Sequence, residues 1–128
     1  MNRKTKRPHV LVVDDSSANA FVAERFLQKL GAEVEIACNG QSGVDCCSNG
    51  SFDLVLMDIS MPIMDGYEAT KMIRLTESDS KREQCPIVAL SAHASEEVKQ
   101  MCLEIGMNDH YTKPISFSQM QELLERYG

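Results

Sequence analysis

Three short and almost continuously apolar segments constrain the fold of this chain more than any other feature of its sequence. They span His9–Val13, residues 52–57 and residues 86–90. Strands that are buried on both faces of a parallel sheet have this pattern, whereas half-exposed strands alternate apolar and polar residues. We therefore predict three central strands of a parallel sheet, with weaker strands at Glu33–Ala37 and Asp109–Thr112.

Segments with helical periodicity separate these strands. The apolar face that contains Phe26 and Leu27 ends at Gly31, a second short helix covers residues 41–48, and Ser95 is placed to cap the fourth. Five repeats of strand and helix predict an α/β fold. We expect a flavodoxin-like, doubly wound, five-stranded parallel sheet with strand order 2-1-3-4-5 and five helices. Four methionines have core-facing spacing: Met57, Met72, Met101 and Met120.

Length and composition are those of one globular domain. The chain has 128 residues, of which 43% are hydrophobic and 25% charged, so it can bury a core without disulfides. Its apolar runs are too short to cross a membrane, and its first residues are basic and polar, unlike a signal peptide. We assign residues 1–8 to a basic N-terminal tail and residues 9–128 to the domain.

Charge and cysteine content limit the classes of binding partner and the cellular compartment that we expect. The formal net charge is −6, and beyond the basic tail nine basic residues face nineteen acidic ones, a charge of −10. An acidic body without a basic stripe argues against nucleic-acid binding. Five cysteines without a metal-binding pattern are typical of a reducing compartment, so we expect a cytoplasmic location. A redox role for the adjacent Cys46 and Cys47 is a minor alternative.

Residues with related chemistry follow the predicted strands. Asp14 and Asp15 follow the first strand, Asp58 the third, Ser91 the fourth and Lys113 the fifth. Ligands of this fold bind outside the carboxyl ends of strands one and three, so we expect these side chains to converge. One pair of carboxylates 4 Å apart costs on the order of 4 kcal/mol at an effective dielectric near 20, a cost that a divalent cation offsets. Oxygen ligands favour Mg²⁺, which commonly acts with phosphate, and an aspartate can itself be the nucleophile.

In kind and order, these residues resemble the receiver domain of two-component response regulators. The resemblance covers nearly the whole chain, from Val10 to about Tyr127, and residues 106–115 are most similar to receivers of hybrid sensor histidine kinases and phosphorelays. The matching motifs are Val-Val-Asp14-Asp15, Asp58-Ile-Ser-Met-Pro-Ile-Met-Asp-Gly66, Leu-Ser91-Ala and Lys113-Pro114.

The resemblance implies that Asp58 accepts a phosphoryl group from a phosphohistidine of a histidine kinase or a histidine phosphotransfer protein. Mg²⁺, or Mn²⁺ in its place, is the implied cofactor. Its implied ligands are Asp14, Asp15, Asp58 and the backbone carbonyl of Ser60.

Further roles also follow from the resemblance. Lys113 and Ser91 are implied to contact the phosphoryl group, and Lys113–Pro114 is expected to be a cis peptide. Phosphorylation is expected to switch the face formed by the fourth helix, fifth strand and fifth helix, through which a weak dimer can form.

Three positions depart from the family or vary within it. His110 stands where the family has Tyr or Phe, so we predict a switch residue that depends on pH, because imidazole titrates near neutrality. The alternative is an exposed polar residue without a switch role. Ser60 and His93 occupy positions that tune dephosphorylation in the family. Neither is poised to activate water, so we predict a moderately to slowly decaying aspartyl phosphate.

Other readings of the sequence remain open. An aspartate-nucleophile Mg²⁺-dependent phosphatase would need a second acid two residues after Asp58, where Ser60 stands, and a flavin-binding electron carrier would not place two aspartates after strand one. Within the receiver reading, the chain is a stand-alone regulator or, as we favour, the receiver of a larger hybrid kinase. We expect self-phosphorylation and autodephosphorylation from the domain alone, with any histidine kinase activity residing elsewhere.

Overall fold

Parallel strands alternate with helices throughout the chain. The computed structural model describes residues 7–59, 66–81, 83–92 and 95–127. Within these ranges the strands are β1 (His9–Val13), β2 (Glu33–Ala37), β3 (Leu54–Asp58), β4 (Ile87–Ser91) and β5 (Asp109–Thr112). The helices are α1 (Ser17–Lys29), α2 (Gly40–Asn49), α3 (Gly66–Asp79), α4 (Glu96–Ile105) and α5 (Phe117–Tyr127).

The strands form one parallel sheet in the order β2-β1-β3-β4-β5, which confirms the predicted fold. In the register of the central strands, Met57 pairs with Val13 on one side and with Ala89 on the other. The carboxyl ends of β1, β3 and β4 are therefore level with one another. β3 begins at Leu54, later than its apolar run. The Asp53 carboxylate just before it accepts a hydrogen bond from the backbone N–H of His9 at 2.9 Å.

Successive residues of each central strand pack into two different cores. Leu11 and Val55 face the layer built with α2 and α3, whereas Val12 and Leu56 face the layer that includes α1 and α5. Every residue of β3 and β4 is buried, which explains why these segments are continuously apolar. Burial of each such side chain contributes about 1.5–3 kcal/mol.

Two of the four methionine assignments are wrong. Met57 and Met120 are fully buried, but Met72 on α3 and Met101 on α4 are exposed. Helical periodicity indicates which side of a helix faces the sheet but not how wide the buried stripe is, and Cys102 is the one fully buried residue of α4.

The predicted helix ends agree better with the structure. The Ser95 hydroxyl caps α4 by accepting the backbone N–H of Val98 at 3.1 Å, and Gly106 ends that helix in a left-handed conformation. Among the described residues, no helix combines the length and apolar character that a membrane span requires. Most of the basic tail, residues 1–6, lies outside the described residues.

Candidate functional site

Three carboxylates meet at the carboxyl edge of the sheet. Asp14 directly follows β1, and Asp15 comes next in the chain. Asp58 is the last residue of the adjacent strand β3. Ligand-forming oxygens of all three lie within 4.8 Å of one another. Asp14 is 3% and Asp58 1% exposed, whereas Asp15 is exposed to solvent. The edge thus combines two buried acids with one acid that is open to solvent.

Lys113 supplies a positive charge to this cluster. Its Nζ lies 3.1 Å from Oδ2 of Asp58 and 3.7 Å from Oδ2 of Asp14. Its backbone N–H donates to the carbonyl of Ser91 at 2.7 Å, which fixes the start of the loop after β5. The Lys113–Pro114 peptide bond is cis, as the resemblance implies. One ammonium group faces three carboxylates, so the cluster has an excess of acidic groups.

The environment of Asp14 opposes its ionisation. Burial raises the pKa of Asp14 above its ordinary value, with smaller contributions from the charges of Asp58 and Asp15. The hydrogen bond that Asp14 accepts from the backbone N–H of Ser16 at 2.8 Å, and the ammonium of Lys113, act in the opposite direction. A divalent cation would favour the ionised form, and carboxylate oxygens are the donors that Mg²⁺ prefers. The donor set therefore fits Mg²⁺.

A second pair of polar side chains lies beside the acids. Ser91, the last residue of β4, is buried, and its Oγ lies 2.7 Å from Nε2 of His110 on β5. The parallel register that pairs Ala89 with His110 brings the two strands together at this point. His110 is half-buried rather than exposed, and its role as a switch residue stays a prediction. Sequence reasoning identified both residues but not the hydrogen bond between them.

The surroundings of His110 favour the neutral form of its imidazole. Burial lowers its pKa below the ordinary value, the ammonium of Lys99 on α4 lowers it further, and the carboxylate of Asp109 partly opposes both effects. Its Nε2 can donate to or accept from the Ser91 hydroxyl, depending on the tautomer.

Gly66 allows α3 to begin against the end of β3. A Cβ at this position would lie 2.5 Å from the carbonyl oxygen of Asp58 and 2.7 Å from Cα of Ile59. No side chain fits that space without displacing the backbone that carries Asp58. Gly66 ends the motif that begins at Asp58 in the sequence, but its contact with Asp58 depends on tertiary structure.

Some predicted site residues cannot be placed. Ser60, whose backbone carbonyl is an expected metal ligand, and His93 lie outside the described residues. A narrow cleft of about 90 Å³ borders the described part of the site. Val22 on α1 lines it together with Asp14 and Lys113.

Comparison with known proteins identifies the family. Residues 10–125 match the response regulator receiver domain, and the chain therefore belongs to this family, whose members act in two-component and phosphorelay systems. The sensor protein GacS of Pseudomonas syringae pv. syringae is 42% identical over 123 residues. These cover 96% of this chain but 14% of GacS, so the chain spans a small part of that relative.

Two solved structures are similar in fold and sequence. The receiver domain of sensor histidine kinase PA1611 from Pseudomonas aeruginosa PAO1, with a magnesium ion coordinated in its active site cleft, is 34% identical. It matches 95% of this chain and 98% of that chain, with a TM-score of 0.84. The Ssk1 receiver domain of Saccharomyces cerevisiae, in complex with the histidine phosphotransfer protein Ypd1, is 34% identical with a TM-score of 0.87. That match covers 95% of this chain and 89% of the other.

The contact at Gly66 gives a first prediction. We expect Gly66→Ala to lower the free energy of unfolding by about 1–3 kcal/mol, because the new methyl group overlaps backbone atoms. Gly50→Ala is the matched control, since its Cβ would meet no atom nearer than 3.6 Å. Urea unfolding of both variants measures the difference. Equal stability of the two variants would contradict the close approach of α3 to Asp58.

Proposed function

We propose that this chain accepts a phosphoryl group on Asp58 from a phosphohistidine, in a reaction that requires Mg²⁺. The observation that carries the proposal is the convergence of Asp14, Asp15 and Lys113 on the buried carboxylate of Asp58. Asp14, Asp15 and Asp58 would hold the cation together with the backbone carbonyl of Ser60. Bound there, Mg²⁺ would neutralise the acids and hold phosphoryl oxygens in line for transfer.

The residues of this chain then have separate tasks in the transfer. An oxygen of Asp58 attacks phosphorus, and the new P–O bond forms as the P–N bond of the phosphohistidine breaks. Lys113 is 3.1 Å from the attacking carboxylate and supplies a positive charge where phosphoryl oxygens arrive. The products are an aspartyl phosphate on this chain and a free histidine on the donor.

Phosphorylation also changes what the Ser91 hydroxyl can offer to His110. A hydroxyl group has one proton to donate, and phosphoryl oxygens act as acceptors. When Ser91 donates to the phosphoryl group, its oxygen presents lone pairs to Nε2 of His110, which must then carry a proton. We propose that this exchange of donor and acceptor roles couples the site to the face of α4, β5 and α5.

The mass of the protein tests the phosphoryl acceptor directly. We expect incubation with acetyl phosphate and Mg²⁺ to add one phosphoryl group to the chain and none to Asp58→Asn. Asp45→Asn is the matched control, because Asp45 is an exposed carboxylate on α2. Removal of Mg²⁺ with a chelator should abolish the adduct. An adduct on Asp58→Asn, or one that forms without a divalent cation, would contradict the assignment.

If the unmodified chain shows no phosphoryl adduct, a second experiment must separate rapid loss of the product from a failure to form it. Rapid autodephosphorylation would hide the product, whereas beryllofluoride with Mg²⁺ forms a stable analogue at the same carboxylate. A beryllofluoride-dependent change in the amide spectrum would therefore support the proposal. The absence of both a phosphoryl adduct and a beryllofluoride-dependent change would reject it.

The pKa of His110 should respond to the state of Asp58. Without a phosphoryl group its pKa lies below the ordinary value, since burial and Lys99 disfavour the cation. With beryllofluoride bound we expect a higher pKa, because Ser91 then accepts a hydrogen bond from the protonated Nε2. Titration of the ring protons by NMR measures both values. Ser91→Ala should remove the difference, and an unchanged pKa in the unmodified chain would reject the coupling.

The groups around His110 are known, so other causes can be tested. Glu96 and Lys99 of α4 and Tyr111 of β5 line a hollow beside it, and Asp109 precedes it. The pKa of His110 is lower in the folded chain than in the unfolded chain, so the unfolded chain binds more protons in acid. The contribution of His110 to the free energy of unfolding therefore falls as the pH drops below about 6.5. His110→Asn should make stability less dependent on pH between 7 and 5.5.

An exposed apolar pair on α1 supports a docking site for the phosphodonor. Phe21 is 55% and Val22 47% exposed, and Val22 lines the cleft that also contains Asp14 and Lys113. The donor histidine must reach Asp58, so the donor surface must cover the residues around this cleft. A histidine phosphotransfer protein is the occupant we propose, as in the complex of Ypd1 with a receiver domain.

Two phosphodonors separate docking from chemistry. We expect Phe21→Ala to slow transfer from a histidine phosphotransfer protein by roughly tenfold, the effect of losing a moderate interface residue. Transfer from acetyl phosphate should be unchanged. Leu75→Ala is the matched control, because Leu75 is equally exposed but lies on α3. Slower transfer from both donors would place the defect in the site and contradict the docking role.

The context of the domain is part of the proposal. We infer that the chain is the receiver of a larger hybrid kinase in the cytoplasm, since its match to the sensor protein GacS covers 96% of this chain and 14% of GacS. Histidine kinase activity, if present, then belongs to other parts of that protein. Expression of the full-length gene product and its autophosphorylation with ATP would test this context.

A further inference from the structure

Two thiols meet at the end of the sheet opposite the acidic cluster. Cys47 lies near the end of α2, and Cys85 lies in the segment that leads into β4. Their side chains are hydrogen-bonded to each other, although they are far apart in sequence. Both side chains are thiols rather than members of a disulfide. Neither takes part in the chemistry proposed for Asp58.

Packing and a hydrogen-bond network hold both cysteines in place. Cys47 is a buried member of the core layer between the sheet, α2 and α3, and Cys85 packs against the same layer. The backbone N–H of Cys85 donates to Oε2 of Glu77 at 2.8 Å, and Oε1 of Glu77 accepts from Arg74 at 2.8 Å. Contact between the thiols therefore follows from fixed elements on both sides.

An open cleft gives small molecules access to this pair. Cys47 and Cys85 both line a cleft of about 590 Å³, together with Asp53 and Glu77. Cys85 is half-buried, whereas Cys47 is buried. A small oxidant that enters the cleft therefore meets the sulfur of Cys85 first.

The two thiols differ in exposure. The hydrogen bond to Cys85 and burial raise the pKa of Cys47 above its ordinary value in the reduced pair. Cys85 is the more exposed of the two thiols, which assigns the first step to Cys85 and the second to Cys47.

We propose that Cys47 and Cys85 are a modification site at which a peroxide forms an intramolecular disulfide. The sulfur of Cys85 attacks one oxygen of hydrogen peroxide, and the O–O bond breaks to give a sulfenic acid and water. The sulfur of Cys47 then attacks the sulfenic sulfur, and the S–S bond forms as the S–O bond breaks. The proton of Cys47 leaves with the hydroxyl group as a second water. Two thiols and one peroxide thus become one disulfide and two waters.

This modification does not depend on the function proposed for Asp58. The disulfide would tie α2 to the segment before β4 at the amino end of the sheet, whereas Asp58 lies at the carboxyl end. It would close a long loop and restrict the unfolded chain, so the oxidised protein should unfold at a higher temperature. Phosphorylation of Asp58 by acetyl phosphate should continue in the oxidised protein.

The test uses the full chain with Cys38→Ser, which removes an exposed thiol that could join two molecules. The protein is treated with hydrogen peroxide, alkylated and analysed by intact mass and by peptide mapping without reductant. We expect the loss of two hydrogen atoms and a linked peptide pair that contains Cys47 and Cys85. Reduction with dithiothreitol should restore the mass and lower the unfolding temperature.

Three further variants make the test specific. Cys85→Ser changes a half-buried residue and should abolish the link, and so should Cys47→Ser. Cys46→Ser is the matched control, because it alters the adjacent thiol of the same helix and should leave the link intact. A link through Cys46, a Cys85 that stops at sulfinic acid while Cys47 remains alkylatable, or two thiols that survive peroxide would each overturn the proposal.

Discussion

The in-register pairing of β1 with β3 is the constraint on which the candidate site depends. It sets Val13 beside Met57, so that the next residues, Asp14 and Asp58, are buried side by side. The backbone hydrogen bonds of the strands fix this proximity, so the repulsion between two ionised carboxylates has to be offset by a positive charge. The compensating charge must therefore come from outside β1 and β3, and Lys113, which follows β5, supplies part of it. A buried charge without such a partner would cost several kcal/mol.

The central strands and the acidic edge of the sheet can be predicted from the sequence, because they depend on apolar periodicity and on which residues follow each strand. Apolar runs of five or six residues define the central strands, and the residues that follow them define the acidic edge. The exposed Met72 and Met101 show where periodicity fails, since it does not report the depth at which a helix packs. The hydrogen bond between Ser91 and His110 and the contact between Cys47 and Cys85 could not be predicted either. Both depend on the register of strands or the path of a loop.

The two ends of the sheet differ in what holds them together. At the carboxyl end, buried acidic groups of Asp14 and Asp58 are balanced by Lys113, an arrangement that a change of charge disturbs. At the amino end, Cys47 and Cys85 pack against apolar core, and Glu77, which accepts from the backbone N–H of Cys85, is paired with Arg74. This separation explains why a covalent change at one end need not alter the chemistry at the other.

The packing of α4 determines how a local change at Ser91 can reach the surface. Cys102 is the one fully buried residue of α4, and Val98 is partly buried against the same layer. Displacing this helix by a small amount therefore costs little apolar burial, at about 25 cal/mol for each Å² re-exposed. A hydrogen bond to a charged group contributes about 1.5–3 kcal/mol, enough to offset roughly 60–120 Å² of such exposure. α3 buries five residues and would resist the same force. Under the proposed switch, a change in the Ser91–His110 bond would therefore have its largest structural effect at α4 and the adjacent β5.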